Sequence, residues 1–328
     1  MYFRSLTISI LLVSVFFGYI FALKTSAASP SDILLTMLPE NPAPNENVSI
    51  SLNSYAVNLD TVLISWFANG KKITEGVGKK TFSMQSGDIT SETNVSIDIN
   101  LPDGRLTVRT IIRPSNMVLL WQAEDSYVPP FYKGKALPTP DSSIRVVAMP
   151  EIMSGKSMIS PNSMTYDWKL DYSNDKEASG YGKSFLIYNN DYLERSNNIG
   201  VVATTTDQKF SAANNINIET TSPKIVFYKK DQLLGTLWET AIGDNHRIDG
   251  DEILEASPYF ISPKNPLNPL LVWNWSINGS QVALGSIMKN LIPLKKADGS
   301  SGVAKLKLQI ENEYKIFQTT EKEINIEF

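Results

Sequence analysis

The chain has 328 residues, of which 42% are hydrophobic and 20% are charged, and it contains one His and no Cys. The length suits two or three domains with packed cores, so wholesale disorder is excluded. The lack of Cys excludes disulfides and thiolate metal sites, the single His excludes any site with two imidazoles, and the net charge of −4 argues against nonspecific nucleic-acid binding.

An apolar segment opens the chain. Arg4 precedes an uncharged run over residues 5–23, which is followed by Lys24 and then by small residues. This order is typical of a secretory signal with cleavage after Ala27 or Ala28, so residues 1–28 are predicted to be a signal peptide. The alternative is an uncleaved membrane anchor, because the run is nearly long enough to span a bilayer. Either interpretation predicts that the rest of the chain lies outside the cytoplasmic membrane and meets a membrane only through residues 5–23.

A pattern centred on Trp recurs three times in the rest of the chain. It reads Trp66-Phe67-Ala68-Asn69-Gly70, then Tyr166-Asp167-Trp168, then Trp275-Ser276-Ile277-Asn278-Gly279. The Trp residues are 102 and 107 positions apart, about the length of one immunoglobulin-like sandwich. The spacing predicts three domains, over residues 31–115, 116–223 and 224–328.

Short apolar segments recur in step with each Trp. Residues 48–52, 144–148 and 252–256 precede the three Trp residues by similar distances, which leaves room for a turn and a strand. The segments 76–79 and 180–183 both read Gly-x-Gly-Lys after the first two Trp residues, whereas the third copy offers only Gly285 there.

The local pattern predicts strands throughout the chain. Apolar and polar residues alternate over 94–101 and, less strictly, over 303–310. The one helix-like stretch is 232–242, where we expect at most a turn or two.

These features resemble tandem immunoglobulin-like or PKD-like modules of bacterial exported proteins. The resemblance is carried by Tyr166-Asp167-Trp168, by the Trp-x-x-Asn-Gly pairs and by the spacing. It implies an all-β fold, with three tandem immunoglobulin-like β-sandwiches after an N-terminal hydrophobic helix. It also implies that Trp66, Trp168 and Trp275 lie in the cores. Such modules act as spacers, adhesion units or binding surfaces.

The remaining Trp residues sit in different contexts. Trp273 is two positions from Trp275, so it is predicted to face the same core. Trp121 and Trp238 lie near the predicted junctions, where we expect them to clamp one module against the next.

Motifs for chemistry are incomplete. Gly182-Lys183-Ser184 lacks the first Gly of a phosphate-binding loop and has strands on both sides, and a Ser-His-Asp triad would have to use His246, which lies in a polar loop. The acidic loop 244–252 offers oxygen ligands for calcium, but Arg247 and Ala256 occupy positions where an EF-type loop needs ligands, which favours a solvated connector. We therefore predict no catalytic, cofactor-binding or metal-binding residues. Paired carboxylates for glycoside cleavage stay open, because pairing depends on the fold.

The triple repeat without a repeated catalytic constellation indicates a non-enzymatic exported or membrane-anchored cell-surface protein. We expect a structural spacer or an adhesion and assembly module, for example within a pilus or secretion apparatus, with a protein or cell-envelope partner and no cofactor. The alternative is a carbohydrate-binding surface module, followed by a surface hydrolase.

Overall fold

The computed structural model describes residues 29–284, 288–297 and 299–328. The predicted N-terminal hydrophobic helix lies outside these residues and stays a prediction. The described residues are strands, connecting loops and three short 3-10 helices, at Pro30–Asp32, Leu59–Thr61 and Pro161–Ser163. None of the described helices has the length and apolar character needed to cross a membrane. The chain forms two compact units, one ending at Pro114 and the other spanning Ser115–Phe328.

The first unit is one β-sandwich. Its strands are β1 (Ile33–Leu38), β2 (Asn47–Ser54), β3 (Leu63–Ala68), β4 (Lys71–Val77), β5 (Thr81–Gln85), β6 (Thr93–Leu101) and β7 (Gly104–Ile112). They form a three-stranded sheet, β1-β2-β5, and a four-stranded sheet, β4-β3-β6-β7. Alternate residues of both sheets point inward, so Ile50 of one sheet and Ile97 of the other are fully buried in one shared hydrophobic core, the first core.

The second unit begins with a sandwich of the same connectivity. Its strands are β8 (Asn116–Ala123), β9 (Ser143–Glu151), β10 (Met153–Ser154), β11 (Ser157–Met158), β12 (Met164–Leu170), β13 (Ser173–Tyr181), β14 (Phe185–Asn189), β15 (Ser196–Thr205) and β16 (Ser211–Glu219). The sheets are β8-β9-β14 and β13-β12-β15-β16, with a small β10-β11 hairpin added. Between the sheets lies the second core, to which Val146 and Val201 contribute from opposite sides.

A third sandwich completes the second unit. Its strands are β17 (Lys224–Asp231), β18 (Gly235–Ile242), β19 (Asn245–Arg247), β20 (Glu252–Tyr259), β21 (Leu271–Ile277), β22 (Ser280–Gln281), β23 (Leu291–Leu294), β24 (Val303–Asn312) and β25 (Thr319–Glu327). The sheets are β18-β17-β20-β23 and β19-β25-β24-β21-β22, around a third core that includes Phe227 and Leu308. Strands β18 and β19 are additions to the plan of the other two sandwiches.

The connectivity confirms the all-β prediction and corrects one detail. Each sandwich repeats the same strand order in both sheets, so the chain consists of tandem immunoglobulin-like β-sandwiches. The expected helical turns over 232–242 are wrong, because Gly235–Ile242 is strand β18, paired with β17 across a bulge between Tyr228 and Lys230. Between the partners of these two residues, β18 runs from Thr236 to Ala241, five steps against two in β17, and the three extra residues break its alternation, which explains why the sequence pattern misled there.

Candidate functional site

The three repeated Trp residues occupy equivalent positions at the centre of each core. All are essentially inaccessible to solvent, at 0, 0 and 2% exposure. Each indole N–H donates to the carbonyl of a Lys that lies 13 to 15 residues later in the chain; the pairs are Trp66 with Lys79 O at 2.8 Å, Trp168 with Lys183 O at 2.9 Å and Trp275 with Lys289 O at 2.9 Å. A buried indole needs such an acceptor, so these residues are structural.

The turn after each Trp is also repeated. The residue three positions after each Trp has a positive φ and exchanges two hydrogen bonds with a residue in or beside the neighbouring strand β6, β15 or β24. These residues are Asn69 (φ 48°), Asp171 (φ 48°) and Asn278 (φ 51°). At Asn278, the backbone N–H donates to Lys305 O at 2.9 Å while the side-chain oxygen accepts from Lys305 N at 2.8 Å. Asn and Asp tolerate this backbone region and can bond locally, which explains the recurrence of these two residue types at that place.

The Gly-x-Gly-Lys segments close the loop that carries the acceptor carbonyl. Gly78 and Gly182 have φ values of 68° and 71°, and a Cβ added to Gly78 would lie 2.9 Å from the Asp60 carbonyl oxygen. Lys183 Nζ bonds the Glu177 carbonyl, so in this structure it is part of a turn between two strands and not of a phosphate cradle. In the third copy Gly285 lies outside the described residues, and the carbonyl of Lys289 is the equivalent acceptor for the Trp275 indole.

The acidic loop 244–252 is held by ion pairs. Asp244 pairs with Lys322, and Glu252 accepts from Lys229 at 2.8 Å and contacts His246 Nε2 at 2.8 Å. Burial of Glu252 favours its neutral form, but the hydrogen bonds from Lys229 and His246 outweigh that effect and lower the pKa of the carboxyl. No group of three acidic or His side chains converges among the described residues. The ion pairs of Asp244 and Glu252 hold the loop against neighbouring strands, and His246 Nε2 lies against the Glu252 carboxylate.

The two sandwiches of the second unit are joined by polar contacts from a long loop. This loop, residues 124–142 between β8 and β9, is called the joining loop. Lys315, from the loop between β24 and β25, reaches it and bonds Asp125 Oδ2 at 2.6 Å and the Asp141 carbonyl at 2.5 Å. The Lys315 and Asp125 side chains are only about one quarter exposed, at 25 and 26%. An ion pair that is partly shielded and shares a backbone acceptor positions both loops.

Further bonds surround this ion pair. Gln318 is fully buried; its amide donates to Pro140 O at 2.8 Å and its oxygen accepts from Ser262 N at 2.8 Å. The backbone of Tyr127 is paired in both directions, since its N–H donates to Ile261 O and its carbonyl accepts from Phe260 N, each at 2.8 Å. These backbone hydrogen bonds attach the joining loop to the third sandwich in the way that an added strand is attached to a sheet.

Aromatic rings line the same junction. Tyr132 of the joining loop meets the rings of Tyr259 and Phe260 edge-on, at centroid distances of 5.5 and 5.9 Å. On another side Tyr192 stacks on Phe317 at 4.7 Å and an interplanar angle of 5°. Both rings of this stacked pair are about half exposed, at 49 and 51%.

A cleft of about 670 Å³ lies beside the stacked pair. It is lined by both polar and apolar side chains, among them Tyr192, Leu193, Glu194, Arg195, Glu219 and Thr220. The cleft combines carboxylates, a guanidinium and hydroxyls next to an aromatic face, a mixture suited to a polar ligand that has apolar patches.

The two Trp residues expected near the junctions make their observed contacts inside their own sandwiches. Trp121 lies in β8 at the edge of the second core, with Lys135 Nζ 3.1 Å from its ring centroid, and burial lowers the pKa of that Lys. Trp238 lies in β18 and packs against Tyr228 of the neighbouring strand at 5.0 Å. Trp273 is partly buried against the third core, as its spacing from Trp275 predicted.

The residues that form the junction were missed by the sequence analysis. Asp125, Lys315 and Gln318 sit in loops that lack any periodic pattern, and their bonds join positions 174 to 190 residues apart. The only available signal was the length of the joining loop, since loops longer than about 12 to 15 residues are often functional.

No family model matches the chain, and no curated protein matches it. Solved structures that resemble the chain match it with low TM-scores. The fibronectin(III)-like modules of Clostridium thermocellum CbhA match at 14% identity and a TM-score of 0.27, over 57% of this chain and 94% of that one. The central fibronectin-III array of RIM-binding protein matches at 12% identity and a TM-score of 0.30, over 88% of this chain and 94% of that one.

A third similar structure is Bacteroides ovatus SGBP-B, solved in complex with a mixed-linkage heptasaccharide. It matches at 12% identity and a TM-score of 0.23, over 89% of this chain and 70% of that one. At these identities and scores the matches say nothing of activity, and the fold assignment stands on the sheets and cores described above.

Proposed function

We propose that the chain is a non-enzymatic structural protein outside the cytoplasmic membrane, built from three domains over residues 31–115, 116–223 and 224–328. Its second and third domains act as one stiff element that holds attached surfaces at a fixed spacing. The observation that carries this proposal is the junction itself, where Lys315, Gln318 and Tyr127 make direct bonds across it. Flexible linkers between independent domains have few such crossing contacts.

The stiffness of this element is testable because the chain has no Cys of its own. Tyr181→Cys and Leu233→Cys place spin labels on exposed sites of the second and third sandwiches, in the full chain. We expect one narrow distance distribution. Adding Lys315→Met and Gln318→Leu should broaden it, because both crossing side chains then lose their polar partners.

The matched control is Lys305→Met, which removes an exposed ion pair with Glu323 inside the third sandwich. It should leave the distribution narrow. The proposal of a stiff element would be refuted by a broad distribution of label-to-label distances in the chain with an unchanged junction. A narrow distribution after both junction substitutions would refute it as well.

The location outside the membrane rests on the sequence of residues 1–28. Protease added to intact cells should degrade the chain, and the mass of the protein from membranes and from the medium should separate an anchor from a cleaved signal. A species that begins near Ala28 in the medium indicates cleavage, whereas protection from added protease contradicts the proposed location.

A second candidate function is carbohydrate binding, which the cleft beside Tyr192 favours. Tyr192, held by its stack on Phe317, lines the cleft with an aromatic ring, and Glu219 and Arg195 offer charged hydrogen-bonding groups for sugar hydroxyls. Calorimetric titration with soluble cell-wall polysaccharide fragments tests it. Tyr192→Ala should reduce binding at least about tenfold, a loss of about 1.4 kcal/mol, whereas Tyr181→Ala, at an exposed ring elsewhere, should not. Equal binding by both variants would rule out this cleft.

A further inference from the structure

One sheet face of the second sandwich is apolar on its outer side. On β8, β9 and β14 the inward residues form the second core, and six of the outward residues are also apolar; this outer patch consists of Val118, Leu120, Val147, Met149, Phe185 and Ile187. Five of the six, all except Val147, are between 37 and 54% exposed. Cross-strand pairing makes them contiguous, since Val147 pairs with Leu120 on one side and with Phe185 on the other.

The first sandwich provides an internal comparison. Leu52 N donates to Lys80 O just as Ala148 N donates to Ser184 O, which fixes the correspondence between the two sheets. The row Leu120–Val147–Phe185 therefore corresponds to the row Thr36–Ser51–Thr81. The first sandwich has the same strand order with a polar outer row, so packing within the sandwich does not require the apolar one.

The third sandwich provides a second comparison. Its corresponding row is Tyr228–Glu255–Leu291. Tyr228 is only 6% exposed, and Trp238 of the additional strand β18 packs against it. In the described part of the chain, no additional strand joins the β8-β9-β14 sheet. In the third sandwich the row therefore has a carboxylate at its centre and its Tyr packs against an additional strand, whereas the row of the second sandwich is apolar throughout and has no such strand beside it.

The patch is electrically neutral. Arg145 lies within it, with its guanidinium 4.7 Å from the Phe185 ring centroid, and it pairs with Glu124 at 2.5 Å. An acidic or basic partner would therefore find no unpaired charge to recognise. An identical face carries the same internally paired charge, so two copies of the patch can meet without leaving a charge unpaired.

The size of the patch fits a specific protein contact. From their exposed fractions, the five side chains present about 400 Å² of apolar surface, which is within the range of patches that are often functional. Since roughly 57% of a typical interface is apolar, this corresponds to about 700 Å² per partner. Stable specific interfaces bury about 800 Å² per partner.

We propose that the outer patch is a self-association surface, on which a second copy of this chain packs sheet to sheet about a two-fold axis. The flat shape, the neutral and internally paired charge and the area together favour an identical face over a small ligand or a charged polymer. Sheets packed in this way lie about 10 Å apart, so residues at the centre of the patch face their own equivalents.

The test uses the full chain, in which any introduced Cys is unique. Val147→Cys and, separately, Leu120→Cys are treated with a short bismaleimide in the protein as expressed. We expect a product of twice the chain mass for both variants, at least about tenfold more abundant than for Leu233→Cys. Leu233 is a more exposed control site, at 94%, away from the patch.

A second variant makes the result independent of a folding defect. Leu120→Thr with Phe185→Thr transplants the residues that the first sandwich carries in the corresponding row, and it should suppress the Val147→Cys product while leaving the unfolding midpoint of the second unit unchanged within about 2 °C. The proposal is overturned if the control forms as much product, if only monomer is found, or if the product contains a different protein.

Discussion

The equivalence of the three core Trp residues makes a quantitative prediction for Trp→Phe substitutions. Phe is roughly 40 Å³ smaller than Trp, and at about 24 cal/mol per Å³ of residual cavity the void costs about 1 kcal/mol. Loss of the indole hydrogen bond to the Lys carbonyl costs about 1 kcal/mol more. Trp66→Phe, Trp168→Phe and Trp275→Phe should therefore each lower the free energy of unfolding by about 2 kcal/mol.

Urea unfolding of the full chain, followed by circular dichroism, measures these losses. With a slope of about 2 kcal/mol/M, each substitution lowers the midpoint of its transition by about 1 M. Trp66→Phe should move only the transition of the unit that ends at Pro114, because its core lies wholly within that unit. Trp168→Phe and Trp275→Phe should move the transition of Ser115–Phe328.

The matched control is Trp121→Phe, the same substitution at a partly exposed ring on the edge of the second core. It should cost less than half as much. The reasoning is refuted if the three core substitutions differ by more than about 1 kcal/mol, since equivalent cavities and hydrogen bonds predict similar costs, or if the control costs as much as they do.

Two further predictions concern single turns. Asn278→Ala should destabilise the third sandwich by about 1 to 2 kcal/mol in urea unfolding, because it places a Cβ without a compensating side-chain bond at positive φ, and Asn278→Gly should recover part of that loss; equal effects of both variants would contradict a role for φ. The hydrogen bond from the Thr205 hydroxyl, followed by those from Lys209, lowers the pKa of Asp207 to about 2. A carboxyl whose pKa is lowered by folding stabilises the fold at any pH above the ordinary pKa of the group, and this contribution is lost as the pH falls from about 4 to 2. The unfolding midpoint of the Asp207→Asn variant should therefore decline less over that interval than the midpoint of the unchanged chain. An identical decline would contradict it.

The cores were predictable from the sequence because they follow local rules. The segments 48–52, 144–148 and 252–256 end at residues with equivalent backbone bonds, since the N–H groups of Leu52, Ala148 and Ala256 each donate to the residue that follows the Trp-bonded Lys. Strand alternation and the need to bury a large ring fixed this register. The hydrophobic pattern therefore carried the fold of each sandwich.

The outer patch and the junction could not be predicted in the same way. The apolar run 117–121 shows no alternation, because β8 is apolar on both faces, so it gave no sign of which residues point outward. The junction depends on Lys315 meeting Asp125, and no local rule links two polar loop residues so far apart. Tertiary placement, which the sequence pattern does not encode, decides both features.

The joining loop has a consequence for biosynthesis. The ion pair of Asp125 requires Lys315, which is synthesised 190 residues later, so the junction forms only when nearly the whole polypeptide has left the ribosome. At about 5 to 20 residues per second, this interval is roughly 10 to 40 s. Until then the Asp125 end of the 19-residue joining loop, residues 124–142, lacks its ion-pair partner, whereas the other end can already bond Asn190 within the second sandwich.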